Sequence, residues 1–83
     1  MNEILYRLVG LKISFIRETV GFTQEELAKK IGLTRTSLTN IEAGKQRILM
    51  HTLDEIAKGL GTTPKHILKG IWLLLLMAHP DSI

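Results

Sequence analysis

Helix stop and start signals recur along this chain at short intervals, and they constrain its fold more than any other feature. Four glycines close segments whose apolar residues are spaced by three and four: Gly21, Gly32, Gly44 and Gly61. Thr23 and Glu26 match a Thr-x-x-Glu capping box, in which each side chain satisfies a free N–H of the first turn. Thr34 suits a further N-cap, and Thr63 precedes a proline that suits the first position of a helix. Since no segment alternates with a period of two, the sequence predicts an all-α fold of five helices.

The chain is short and carries no recognisable catalytic or metal motif. Its 83 residues leave room for one small domain, and the absence of cysteine excludes disulfides and thiolate zinc sites. The histidines show no metal-ligand spacing: His51, His66 and His79. No Ser-His-Asp order, paired-carboxylate site or phosphate-binding glycine loop stands out. We therefore expect no catalytic residue, no metal and no cofactor, and predict that the chain is not an enzyme.

Positive charge is concentrated in the middle of the chain. The net charge is +3 at pH 7. Residues 27–50 carry five basic side chains and one acidic one, whereas the remaining residues carry six basic and seven acidic ones. The excess positive charge thus lies in one segment, as a surface that binds a polyanion requires. A solvated polar face is the alternative that charge alone leaves open.

This central segment contains two short helices that a tight turn must join at a large angle. Ala28 is a small residue for the point where the helices touch, and Gly32 tolerates a positive φ in the turn. The outer face of the second helix has no acidic residue, which suits a helix that enters the major groove of DNA. This face consists of Arg35, Thr36, Thr39 and Asn40.

Four motifs in this sequence agree in order and spacing with a known family. They are Gly10-x-x-Ile13-x-x-Ile16-Arg17, Gly21-Phe22-Thr23-Gln24-Glu25-Glu26-Leu27-Ala28, Ile41-Glu42-x-Gly44-Lys45 and Leu53-x-x-Ile56-Ala57-x-x-Leu60-Gly61. On these residues the chain resembles the helix-turn-helix domain of the lambda-repressor, Cro and XRE type. The resemblance implies a five-helix all-α domain over residues 10–70 that binds operator DNA, usually as a dimer. Residues 1–9 then form an N-terminal helical extension, and residues 71–83 form an apolar C-terminal helical extension.

The resemblance also assigns roles to individual positions. Those that look like base-reading positions are Gln24, Arg35, Thr36, Thr39 and Asn40, and those that look like phosphate contacts are Ser37, Lys45, Gln46 and Arg47. Gln24 resembles the family glutamine that reaches a phosphate and sometimes a base. Arginine suits guanine O6 and N7, asparagine suits adenine N6 and N7, and a threonine methyl suits the thymine methyl.

One pair of charges has a structural role in the family. The arginine that ends helix 1 pairs with the glutamate that ends the recognition helix, and the pair is partly buried. Arg17 and Glu42 match these positions. We therefore expect an ion pair that removes Arg17 from DNA contact and fixes the recognition helix against helix 1.

The C-terminal apolar run, residues 71–78, is far shorter than the ~20 residues that span a bilayer. With no targeting signal, we expect a cytoplasmic protein without a membrane partner. A helix that is apolar on every side needs covering on more than one face. Either the N-terminal segment around Ile4, Leu5 and Leu8 provides the cover, or another subunit does. We favour a homodimer, with the contact made by Trp72, Leu73, Leu76 and Met77.

Three details of the later helices are open. The family proline before helix 4 is missing, and Thr52 with Glu55 matches a capping box for a later start. The residues Ile48-Leu49-Met50 suit either an interface or core packing. The fifth helix has no apparent end before Pro80, so it can run on from Pro64 through the apolar tail.

The leading functional hypothesis is a dimeric, sequence-specific transcriptional regulator, acting as a repressor on a palindromic operator. Two alternatives use the same DNA-binding domain. One is an antitoxin that also neutralises a toxin protein, and the other is a restriction–modification controller protein. An adaptor that uses the fold for protein contacts alone belongs to a different class, because it has no double-stranded DNA partner.

Overall fold

The computed structural model describes residues 2–71, 73 and 77, and the regular structure of this part of the chain is entirely helical. Five helices follow one another: α1 Asn2–Val20, α2 Gln24–Ile31, α3 Arg35–Glu42, α4 Met50–Gly59 and α5 Pro64–Leu68. The predicted all-α fold of five helices is confirmed. None of the described helices combines the length and the hydropathy that crossing a bilayer requires.

Side-chain caps set the starts of three helices, as the sequence predicts. The Thr23 hydroxyl accepts from the N–H of Glu26 at 3.1 Å, and the Glu26 carboxylate accepts from the N–H of Thr23 at 2.9 Å. The hydrogen bond from the Thr23 backbone N–H to the Glu26 carboxylate, followed by one from the Thr23 side chain, lowers the pKa of Glu26. Thr34 and Thr63 cap α3 and α5 in the same way, at 3.0 and 3.2 Å.

Two glycines allow the helices around the central turn to come together. Gly32 ends α2 with φ +74°, the left-handed conformation that the tight turn requires. Gly10 lies inside α1, where a Cβ atom would stand 2.5 Å from the carbonyl oxygen of Glu42. The backbone of α1 therefore touches the C-terminal end of α3 directly, and this contact fixes how α3 is presented to solvent.

A single core holds the helices together, and each of the five contributes to it. Its buried residues are Val9, Ile13, Leu27, Ala28, Leu38, Ile41, Leu53, Ile56, Ala57, Leu60, Ile67 and Ile71. Ala28 is 2% exposed, as expected for a small residue at a helix crossing. The N-terminal extension belongs to this unit, because α1 runs unbroken from Asn2 and packs Ile4, Leu5 and Leu8 against the core.

The prediction that the fifth helix can run on through the apolar tail is wrong. The helix α5 ends at Leu68, Lys69 is extended with ψ 130°, and Gly70 has φ +86°. A glycine in the left-handed conformation ends a helix, so Ile71 starts a new helical segment and turns into the core at 4% exposure. Ile67 and Ile71 are therefore both buried but do not lie on one continuous helix.

The alternative in which α4 starts later, with a capping box of Thr52 and Glu55, is also wrong. The N-cap of α4 is Leu49, which makes no side-chain cap, and Thr52 and Glu55 both lie inside the helix. The three apolar residues around the start of α4, Ile48, Leu49 and Met50, divide between the two alternatives. Ile48 packs against the core, whereas Leu49 and Met50 are 62% and 72% exposed. Ile48 is half-buried directly before the uncapped start of α4.

Candidate nucleic-acid interface

The structure gathers the five predicted base-reading side chains at one place. Thr34 caps the start of α3, and Arg35 and Thr36 in the first turn of that helix are exposed. The start of α2 lies beside this turn. Between them lies a shallow cleft of 300 Å³ lined by Gln24, Arg35, Thr36, Thr39 and Asn40. Arg35, Thr36 and Thr39 are exposed, whereas Gln24 and Asn40 are half-buried. On α3 the spacing of one, four and five residues places these side chains on one face.

The predicted phosphate-contact residues flank this cleft on the C-terminal side of α3. Lys45, Gln46 and Arg47 are exposed in the loop between α3 and α4. The Gln46 amide donates to the Ser37 hydroxyl at 3.3 Å, which links the loop to the middle of α3. Within residues 2–71, neither Lys45 nor Arg47 forms a salt bridge, so both charges are available to an anion.

Arg17 and Glu42 form a forked ion pair behind the cleft. Arg17 Nε donates to Glu42 Oε2 at 2.7 Å and Nη2 donates to Oε1 at 3.0 Å. The third guanidinium nitrogen donates to the carbonyl oxygen of Phe22 at 2.7 Å. The side chains are only 10% and 4% exposed. The hydrogen bond with Glu42 is the largest contribution that raises the pKa of Arg17, against the effect of burial.

Gln24 connects this ion pair to the recognition face. Its Nε2 donates to Glu42 Oε1 at 3.0 Å, and its Oε1 accepts from the Thr39 hydroxyl at 3.0 Å. Sequence reasoning placed Gln24 and Thr39 at the interface but missed that they bind each other and Glu42. The available signal was the three-residue spacing of Thr39 and Glu42, which places both on the side of α3 that α2 approaches.

A second cleft on the other side of Gln24 brings in a residue that the sequence analysis did not consider. It measures 440 Å³ and is lined by Arg17, Thr23, Gln24, Glu25 and Arg35. Glu25 is an exposed acid next to the polar face of α3, which itself has no acid. Its carboxylate repels anions such as phosphate from this cleft.

The predicted dimer residues are only partly within the described chain. Trp72 and Leu76 lie outside it, whereas Leu73 and Met77 have helical backbone and are 63% and 70% exposed. Sequence analysis missed Leu11 and Phe15 of α1, which are also exposed, at 53% and 68%. Leu11 and Leu73 line the same groove of 440 Å³ between α1 and the C-terminal segment.

The helix α2, the turn at Gly32 and α3 make up a helix-turn-helix unit whose second helix presents polar side chains to solvent. The family described as helix-turn-helix (HTH_3) matches residues 13–67. The chain belongs to this family of XRE and Cro-type transcription regulators. Regulators of the family bind double-stranded DNA.

Relatives named as control proteins match this chain over most of its length. The control protein C.MunI from a Mycoplasma species is 36% identical over 72 residues, which are 86% of this chain and 96% of that protein. The control protein C.BamHI from Bacillus amyloliquefaciens is 36% identical over 69 residues, 82% of this chain and 85% of that protein. The structure of the wild-type restriction-modification controller protein C.Esp1396I matches with a TM-score of 0.76 at 32% identity, covering 88% of this chain and 95% of that one.

Proposed function

We propose that this chain controls the genes of a restriction–modification system by binding a palindromic operator as a homodimer. The observation that carries the proposal is the extent of the similarity to control proteins. It covers more than four fifths of this chain and of both control proteins, rather than the helix-turn-helix unit alone. The proposal therefore favours a restriction–modification controller protein over a repressor of unrelated genes.

The polar face of α3 supplies the chemistry that this function needs. Arg35, Thr36, Thr39 and Asn40 offer hydrogen-bonding groups to base edges. Ser37, Lys45, Gln46 and Arg47 provide phosphate contacts beside them, which fix register and orientation on the duplex. The ion pair of Arg17 with Glu42 fixes α3 against α1, so the recognition face is rigid before DNA binds.

A dimer follows from the size of one recognition helix. Its few base contacts distinguish only a short half-site, and two-fold pairing doubles them by placing two helices ~34 Å apart. Exposed apolar side chains near the C-terminal segment supply surface for that pairing. We assign the contact to Trp72, Leu73, Leu76 and Met77.

Selection of bound duplexes from a random pool tests DNA recognition with the full chain. We expect two half-sites related by two-fold symmetry, with centres ~10 base pairs apart. If the dimer neutralises about eight phosphates, the slope of log K against log salt is roughly −7. Enrichment of no sequence, or tight binding that is insensitive to salt, contradicts the proposal.

The regulated genes require a separate experiment. We expect the protein to bind the DNA upstream of its own gene and of a neighbouring methyltransferase or endonuclease gene, and to change their transcription in vitro in proportion to its concentration. A scrambled duplex of equal length and composition is the control. A toxin gene in the neighbouring position, whose product binds the chain, indicates the antitoxin alternative.

A further inference from the structure

Four polar side chains form one connected path from the buried interior to the recognition face. Arg17 donates twice to Glu42, Glu42 Oε1 also accepts from Gln24, and the Gln24 carbonyl oxygen accepts from the Thr39 hydroxyl. The path begins at a carboxylate that is 4% exposed and ends at a hydroxyl on the exposed side of α3. We call it the Glu42–Gln24–Thr39 relay.

The direction of every hydrogen bond in this relay follows from the ion pair. A carboxylate that pairs with a guanidinium carries no proton, so Glu42 only accepts. The Gln24 amide must therefore turn its NH₂ group towards Glu42 and its oxygen towards Thr39. The Thr39 hydroxyl has a single hydrogen and gives it to that oxygen. Only the lone pairs of Thr39 Oγ1 remain for a DNA base.

Thr39 differs in this respect from the other side chains on its face. Arg35, Thr36 and Asn40 make no side-chain hydrogen bond to any residue in the described part of the chain. No side-chain hydrogen bond within the described residues therefore holds any of these three side chains in one orientation. The Thr39 hydroxyl is already oriented by a carboxylate that the Arg17 fork holds in place.

We propose that Glu42 acts through Gln24 to make Thr39 a dedicated hydrogen-bond acceptor, which favours a base that presents an amino group in the major groove. Adenine N6 and cytosine N4 are the two such donors, whereas guanine and thymine offer only acceptors at the corresponding edge. Gln24 and Glu42 are then positioning residues for specificity at that base pair. The inference rests on the proposed sequence-specific DNA binding.

The test compares base preferences of five proteins, the unsubstituted chain and four variants, selected against the same random half-site pool. Thr39→Val removes the hydroxyl at nearly constant shape and identifies the base pair that Thr39 contacts, and Thr39→Ser is the matched control that keeps the hydroxyl. Gln24→Met removes the relay and leaves the Arg17–Glu42 pair intact. The double variant Gln24→Met with Thr39→Val shows whether the effect of Gln24 passes through Thr39. Thermal unfolding of each protein confirms that it folds.

We expect the unsubstituted protein and Thr39→Ser to prefer one base pair at this position, in the orientation that points adenine N6 or cytosine N4 towards Thr39. Gln24→Met should reduce that preference by about threefold to tenfold, the factor that one hydrogen bond supplies, and admit the reversed base pair. The double variant should match Thr39→Val at the same base pair.

Two results overturn the relay while leaving the proposed function standing. One is a Gln24→Met protein that keeps the preference and binds all sequences more weakly by a common factor, as loss of a phosphate contact does. The other is a double variant whose preference at this base pair differs from that of Thr39→Val, because Gln24 then acts other than through Thr39. If the unsubstituted protein enriches no sequence, the proposed function fails and the relay fails with it.

Discussion

At the scale of single residues, Arg17 is an arginine with a structural role, although it lies next to the surface that we propose binds DNA. Three of its hydrogen bonds go to Glu42 and Phe22, so none of its nitrogens is without a protein acceptor. Arg35 and Arg47 are exposed and form no salt bridge within the described residues. Burial and pairing, rather than residue type, therefore separate the structural arginine from the two that we assign to DNA contact.

Replacement of Arg17 with alanine should destabilise the protein strongly. The substitution leaves the Glu42 carboxylate buried without its cation, which costs ~3–5 kcal/mol. Chemical denaturation measures the loss. The matched control is Lys58→Ala, which breaks the exposed pair with Asp54 and should change stability far less. A stable Arg17→Ala protein that has lost only DNA binding would show that Arg17 contacts DNA.

Arg35 and Arg47 should respond differently to the same substitution. Arg35→Ala removes a base contact, so it should weaken the selected operator by ~1–3 kcal/mol and relax one base pair per half-site. Arg47→Ala removes a phosphate contact, so it should weaken all sequences alike and make the salt slope shallower. Binding of both variants to operator and to random DNA at several salt concentrations distinguishes the two roles. Equal losses on both DNAs for Arg35→Ala would place Arg35 on the backbone.

At the scale of helices, the position of α3 depends on where α1 touches it. The path of α1 passes so close to the end of α3 that only glycine fits at position 10. The Arg17–Glu42 pair joins the same two helices further along α1. One backbone contact and one ion pair thus hold the C-terminal end of the recognition helix against two points along α1, which supplies the rigidity that base readout needs.

Gly10→Ala should destabilise the protein although alanine is the better helix former. Alanine gains ~1 kcal/mol of helix propensity over glycine. Its Cβ, however, meets the carbonyl group of Glu42, which belongs to a packed backbone, and overpacking of this kind costs ~1–3 kcal/mol. Ser14→Ala on the same helix is the control and should be nearly neutral. Thermal unfolding that shows a more stable Gly10→Ala protein would mean that α1 moves away from α3 freely.

Local signals predicted the helices well, and long-range contacts account for what they missed. Thr23, Thr34 and Gly32 determine the limits of α2 and α3 because caps act on the adjacent turn. Gly70 is the same kind of stop signal, but the apolar periodicity on both sides of it suggested a continuous helix. The four cleft residues on α3 could be predicted from their spacing, whereas Gln24 was predicted only from the family resemblance. The bonds of Gln24 join residues 15 and 18 positions apart, so they depend on the crossing of two helices.

At the scale of the whole molecule, operator binding should depend on a second copy of the chain. Leu73 and Met77 are exposed apolar residues in the segment that we assign to the dimer contact, and Ile71 next to them is buried in the core. Truncation after Gly70 therefore removes core packing as well as interface, and substitutions test the contact more cleanly. Leu73→Lys with Met77→Lys places two charges in the proposed interface and leaves Ile71 in place.

This double variant should keep its helical content and become monomeric in sedimentation measurements. Loss of two apolar contacts at an interface centre, ~2 kcal/mol or more, weakens association by at least ~30-fold. Operator affinity should fall with it, because each monomer then holds a single half-site. The control is Leu49→Lys with Met50→Lys, which charges the exposed apolar pair at the start of α4. If this control becomes monomeric and the Leu73 and Met77 variant stays dimeric, the subunits meet at the start of α4.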